Sequence, residues 1–134
     1  MEFHGINIIA ALLAALGFMA VGFLWYGPLF GKTWMKLHGW TEEDFKGQNM
    51  VPVLVQGVIN ALITAIGMAL VFHWTNVDSI LDALHIAFVL WIAFSATTQA
   101  LAFIYERQKL GLTLIHFGNQ LVGFMVAAII LALF

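Results

Sequence analysis

Four long, predominantly apolar stretches decide what this chain can become: residues 6–29, 52–72, 80–105 and 112–134. Each is 21 to 26 residues long. At a rise of about 1.5 Å per residue, roughly 20 residues cross a hydrocarbon core of about 30 Å. Each stretch is therefore long enough to cross a bilayer once and too short to cross twice. In lipid a span must satisfy its own backbone hydrogen bonds, which makes each of the four a helix. A water-soluble bundle would need a polar stripe on every helix, and the first and last stretches hold too few polar residues for one. Composition points the same way. The chain is 63% hydrophobic and 9% charged, whereas a soluble domain carries about 25% charged residues. The expected fold is an all-α integral membrane protein. It has four transmembrane helices in an up-down bundle, a single domain over residues 1–134, and a short interfacial helix in the connection 30–51.

Several function classes fall away at this point. The net charge of −2 offers no basic field for nucleic acid. The absence of cysteine removes disulfides, thiolate metal sites and cysteine nucleophiles. No Lys or Arg precedes the first apolar run, so that run reads as a retained helix and not as a signal peptide.

The connections between the stretches are unlike one another. The first carries Lys32, Lys36, Glu42, Glu43, Asp44 and Lys46, the second (His73–Ser79) has no Lys or Arg, and the third (Glu106–Gly111) carries Arg107 and Lys109. All five basic residues thus lie in connections one and three, which share a side in a four-span chain. The positive-inside rule puts that side in the cytoplasm, with both termini and the second connection outside. A bacterial cytoplasmic membrane is the expected location, and its lipid bilayer the first partner. In the first connection Thr41 is a helix N-cap followed by three acidic residues, a favoured start. Trp34, Leu37 and Trp40 recur at a spacing suited to the headgroup layer. Trp25, Tyr26, Trp74 and Tyr105 fall near span ends, as an aromatic belt does, and Trp91 stands apart near mid-span. Pro28 cannot continue a helical ladder, so Gly27-Pro28 is expected to end the first span.

Polar side chains inside the spans are the best pointers to function, because hydrocarbon penalises them. Gln56, Asn60 and Thr64 share one face of the second stretch. Asp82, His85 and Gln99 lie within one face of the third, and Thr113, His116 and Gln120 on one face of the fourth, with Asn119 at its edge. The simplest arrangement turns these three stripes inward. By depth they form two layers. The inner one comprises Gln56, Asn60, Gln99, His116, Asn119 and Gln120. It reads either as interhelical packing bonds, worth about 0.6 kcal/mol each, or as a polar pathway or pocket. His116 is the member whose charge change would matter most. The outer layer comprises His4, His73, Asp82 and His85. Histidine and carboxylate are competent ligands for zinc or a similar metal, but the spacings match no metal motif, and groups near an interface can simply be hydrated. Gly57, Ala61 and Ala65, Gly123 and Ala127, and Ala10, Ala14 and Gly17 mark close helix approach.

One run is more specific than the rest. Trp25-Tyr26-Gly27-Pro28, followed by Phe30-Gly31-Lys32, Trp34-Met35 and Gly39, resembles the signature of the small membrane proteins grouped as domain of unknown function 1761. The resemblance covers nearly the whole chain, including the four-span layout. It implies a fold and a membrane, and no catalytic residues.

Three functions compete. The first is an oligomeric channel or transporter-like protein using the inner polar layer. Four short spans enclose little more than a slot, so its path would form between subunits. The second is a structural or accessory subunit of a larger membrane complex. The third is a histidine-ligated metal or cofactor protein. No Ser/His/Asp set, phosphate loop or paired-carboxylate site is present, so the sequence marks no enzyme.

Overall fold

The computed structural model describes residues 2–3 and 5–134. It contains four helices long and apolar enough to cross a membrane: α1 (Ile8–Leu29), α3 (Val51–Trp74), α4 (Ile80–Tyr105) and α5 (Leu110–Leu133). A fifth, shorter helix α2 (Gly31–His38) lies in the first connection. The all-α, four-helix expectation holds. One small addition precedes α1. Residues Glu2–Phe3 pair antiparallel with Ile6–Asn7, turning through Gly5 at φ +84°. Asn7 then caps α1, its side-chain oxygen accepting from the backbone N–H groups of Ile9 (3.0 Å) and Ala10 (3.2 Å). These are donors that the first helical turn would otherwise leave free.

Packing follows the alanines rather than the polar stripes. Ala14 and Ala15 of α1, Ala61, Ala65, Met68 and Phe72 of α3, Ala83 and Ala87 of α4, and Ala127 and Ala128 of α5 form one buried cluster. Small side chains let the backbones approach, the usual route to tight contact between apolar helices. Contacts are most extensive where α5 meets α4 and α1, and fewer between α3 and α1. The helices thus lie in the order α3–α1–α5–α4, and α3 touches α4 and α5 only sparsely. Glycines set the α1–α5 distance: a Cβ at Gly17 would meet Ile130, and one at Gly123 would lie 2.8 Å from the Phe18 ring. These pairings run in opposite chain directions, so α1 is antiparallel to α5.

The alanine cluster sits toward the end that carries the second connection. At the other end α3 leaves the bundle, and every residue from 51 to 60 is exposed. The expectation that all three polar stripes turn inward is therefore corrected: Gln56 and Asn60 are exposed. Alanines occupy the contact face of α3, because a carboxamide there would hold the helices apart and need its own partner.

Outward faces carry large apolar side chains on every long helix, among them Leu16 at 62% exposure, Ile63 and Phe94 at 68% and Leu114 at 55%. A water-soluble monomer rarely shows such a belt. It is the surface expected of helices solvated by lipid tails.

Connections one and three meet at the same end. The Lys109 ammonium donates to the Leu37 carbonyl at 2.7 Å, satisfying an orphan acceptor in the last turn of α2. Thr41 does cap, but only a single tight turn, Glu42–Phe45, through reciprocal bonds with Asp44. The helix of this connection lies upstream of it. That helix follows α1 across a kink: the regular turns of α1 run to Leu24 and Gly27 leaves helical geometry, so Gly27-Pro28 does end the first span. A π-type turn over Trp25–Leu29 absorbs the proline, and Phe30 N–H donates to the Trp25 carbonyl five residues back at 2.9 Å. Gly27 takes up the bend at φ −105°, ψ −106°.

Candidate functional site

The widened turn at the end of α1 rotates two aromatic side chains inward against α5. Trp25 donates its indole N–H to the Ile115 carbonyl at 2.8 Å. Its ring lies over Gly118, where an added Cβ would stand 2.6 Å from Cζ2. Tyr26, the next residue, hydrogen-bonds through its hydroxyl to His116 Nδ1. A second π-type turn, Trp91–Ala96, interrupts α4, and there Trp91 donates to the Phe117 carbonyl at 3.2 Å. Two tryptophans, each opening a π-type turn, thus grip the same stretch of α5 from two neighbouring helices. Such turns recur at functional positions because they redirect one side chain without breaking the helix.

Beside this grip lies a groove of about 490 Å³ between α1 and α3. Its walls are apolar (Phe18, Met19, Phe23, Val53 and Leu54) and its floor includes Gly22, Gly57 and Ala61. Three polar side chains reach it: Tyr26, Asn60 and Asn119. Asn119 is the only carboxamide among the described residues that is buried, at 8% exposure. No ionisable carboxylate, Lys, Arg or His lines the groove. Because α3 leans out over residues 51–60, the groove opens on the side of the bundle.

Tyr26 is backed by an aromatic cluster from the first connection. Trp34 meets Tyr26 edge-on at 5.4 Å, and its ring also contacts His38, Trp40 and Phe45. His38 stacks on Trp40 at 3.9 Å and 7°. Trp34 therefore turns toward the protein, while Trp40 keeps 39% of its surface exposed.

The six side chains of the inner layer are not one network. No hydrogen bond joins any two of them. His116 is bound to Tyr26, Asn60 and Asn119 reach the groove, and Gln56 faces outward. Gln99 is half-buried, with an enclosed Oε1 that accepts no hydrogen bond, and Gln120 is half-buried. Of the outer layer, His4 lies outside the described residues. His73 packs over Gly5, where a Cβ would fall 2.4 Å from its Nε2. It also shares a cavity of about 360 Å³ with Asp78 and Ser79. Asp82 sits in the first turn of α4, where its N–H donates to Ser79 Oγ at 3.1 Å, and His85 is exposed. Among the described residues no three His, Asp or Glu side chains gather as a metal set.

Tyr26 is the site residue that spacing alone did not single out. Its position at a span end reads as an interfacial anchor. The signal was the proline two residues on, which forces a turn wide enough to swing the ring toward α5.

No curated protein and no solved structure matches the chain. Residues 9–132 match the family described as protein of unknown function, DUF1761. That match takes in all four long helices, both π-type turns and the groove between α1 and α3. The chain belongs to the DUF1761 family.

Proposed function

We infer that this is a membrane-embedded binding protein for a neutral amphiphile, a molecule with an apolar tail and an uncharged hydrogen-bonding head. One observation carries the reading. An apolar groove opens sideways between two helices and holds three polar groups, none of them ionised. Small-molecule sites have this character: mostly apolar walls with a few convergent polar atoms that fix orientation. The Asn60 and Asn119 carboxamides each offer donors and an acceptor, and the Tyr26 hydroxyl, already bonded to His116, offers its remaining capacity. Carbonyl, hydroxyl or amide heads suit them, whereas a charged head would lack a counter-ion in a site of low dielectric. A lateral opening admits such a ligand from the lipid phase. The charged connections face the cytoplasm in this reading, which puts the groove in the inner half of the bilayer. A carrier or transporter-like role would be this binding step joined to release on the other side.

Gly57→Phe tests the groove with little risk to the fold, because a Cβ there meets nothing within 4 Å. A solvatochromic fluorophore with a ketone head and an alkyl tail, titrated into the protein in nanodiscs, should bind saturably. Gly57→Phe should weaken that binding at least tenfold, and Asn119→Leu by about tenfold, the equivalent of one well-placed hydrogen bond. Equal binding by the wild type and Gly57→Phe would remove the groove from consideration.

A further inference from the structure

The outward face of α3 carries a second, independent pattern. Val53, Gln56, Asn60, Ile63, Gly67, Leu70 and Trp74 follow one another at alternating steps of three and four residues. That is a heptad seam, the repeat that lets two helices wind around each other with about 3.5 residues per turn. Apart from the half-buried Leu70, every position of the seam is exposed. Ile63, at its centre, is 68% exposed. The opposite face of α3, with Ala61, Ala65, Met68 and Phe72, is the one spent on the bundle core.

We propose that two copies of this chain pair through the α3 seam as a parallel dimer. Four features select a second copy as the occupant. Gln56 and Asn60 make no hydrogen bond among the described residues, and at a lipid-facing position an unpaired carboxamide is unfavourable. A carboxamide is both donor and acceptor, so the same residue on a twofold-related copy completes it. The seam bears no charge, so it asks for no oppositely charged partner. Gly67 has nothing within 4 Å of a built Cβ, which leaves its backbone open to close approach by another helix. Copies inserted in the same direction bring α3 to α3 in parallel, so Asn60 faces Asn60 and Gln56 faces Gln56. A lone Asn at such a core position sets the register of parallel helical dimers. The α1–α3 groove adjoins this seam and shares Val53 and Asn60 with it, whereas Gln56, Ile63 and Gly67 lie outside the groove.

The native chain has no cysteine, which makes single-cysteine crosslinking unambiguous. Ile63→Cys and Gly67→Cys should give disulfide-linked dimers in native membranes. Val55→Cys and Ile66→Cys, exposed at 51% and 38% in the native protein, should give none. At about 100° per residue those two lie roughly a quarter-turn or more from the seam, and a disulfide needs Cα atoms within about 7 Å. Subunit counting by single-molecule photobleaching in dilute liposomes should find two copies. Gln56→Leu combined with Asn60→Val should weaken self-association by about an order of magnitude while the monomer stays folded. Crosslinking at all four cysteines alike, a monomer in liposomes, or a stoichiometric complex with a different protein and no seam crosslinks would each overturn the proposal.

Discussion

Gly31→Ala is expected to destabilise the protein by about 2–3 kcal/mol, near the upper end for overpacking by a single methyl. Gly31 is buried at the first position of α2. A Cβ there would lie 2.6 Å from the carbonyl oxygen of Tyr26. That obstacle is backbone held inside the π-type turn, so no rotamer change relieves it. The turn must open, and opening it withdraws Trp25 and Tyr26 from α5 together. Thermal unfolding in detergent, followed by retention on a sizing column, should show a clear loss of stability. Tryptophan fluorescence should shift as the Trp25 indole leaves its contact with α5. Gly39→Ala is the control for glycine replacement as such. A Cβ there has open space, but the residue sits at φ +73°, so its penalty is the left-handed backbone alone, about 1 kcal/mol.

Gly118→Leu should be at least as damaging, by about 3 kcal/mol, and for a different reason. The Trp25 ring occupies the space a side chain would take, with Cζ2 2.6 Å from the ideal Cβ. Leucine displaces the ring, breaks the indole bond to Ile115 and separates α1 from α5, one of the two most extensive helix contacts in the protein. Because the clash is with one side chain, shrinking that side chain should rescue it. The double variant Gly118→Leu with Trp25→Ala should be more stable than Gly118→Leu alone, although Trp25→Ala by itself is destabilising. Such coupling between touching residues is read from a double-mutant cycle. Purely additive losses would mean that Trp25 and Gly118 do not pack as described.

Both predictions depend on the segment Trp25–Gly31, and the sequence showed its importance without showing its form. Gly27-Pro28 was expected to end the first span, and the kink falls there; what residue spacing did not show is the π-type bond from Phe30 to Trp25 that carries the chain across the kink into α2. Helix identity was legible because length and apolarity suffice for it. The four long helices lie close to the stretches read from hydropathy, differing by one or two residues where Asn7 caps α1 and where Val51 and Leu110 begin α3 and α5. Helix orientation about the axis was less legible. Polar stripes and alanine stripes both mark a helix face, and the chain used alanines for its core and left Gln56 outside. For helices in lipid, apolarity does not distinguish inside from outside, and size does.

The site was legible in part. His116 stood out as the inner-layer residue most open to a chemical role, and it does hold a partner. That partner, Tyr26, sits 90 residues away in the chain, and no spacing rule links the two. Asn60 and Asn119 were in the expected layer and both reach the groove. Gln99 belongs to the same layer but ends with an enclosed, unpaired oxygen, for which we have no physical account. The wide opening of the groove comes from the departure of α3 over residues 51–60. No local residue preference encodes that departure. It arises because the alanine contacts of α3 stop at Ala61.

We propose that the long helices cross a bilayer and leave the two lysine- and arginine-bearing connections together in the cytoplasm. Single cysteines at Lys46, Gln108 and Asn76, probed in intact cells with a membrane-impermeant maleimide, test it most directly. Labelling is expected at Asn76 alone, with Lys46 and Gln108 reacting only after the membrane is permeabilised. Labelling of Asn76 and Lys46 from the same side would contradict it.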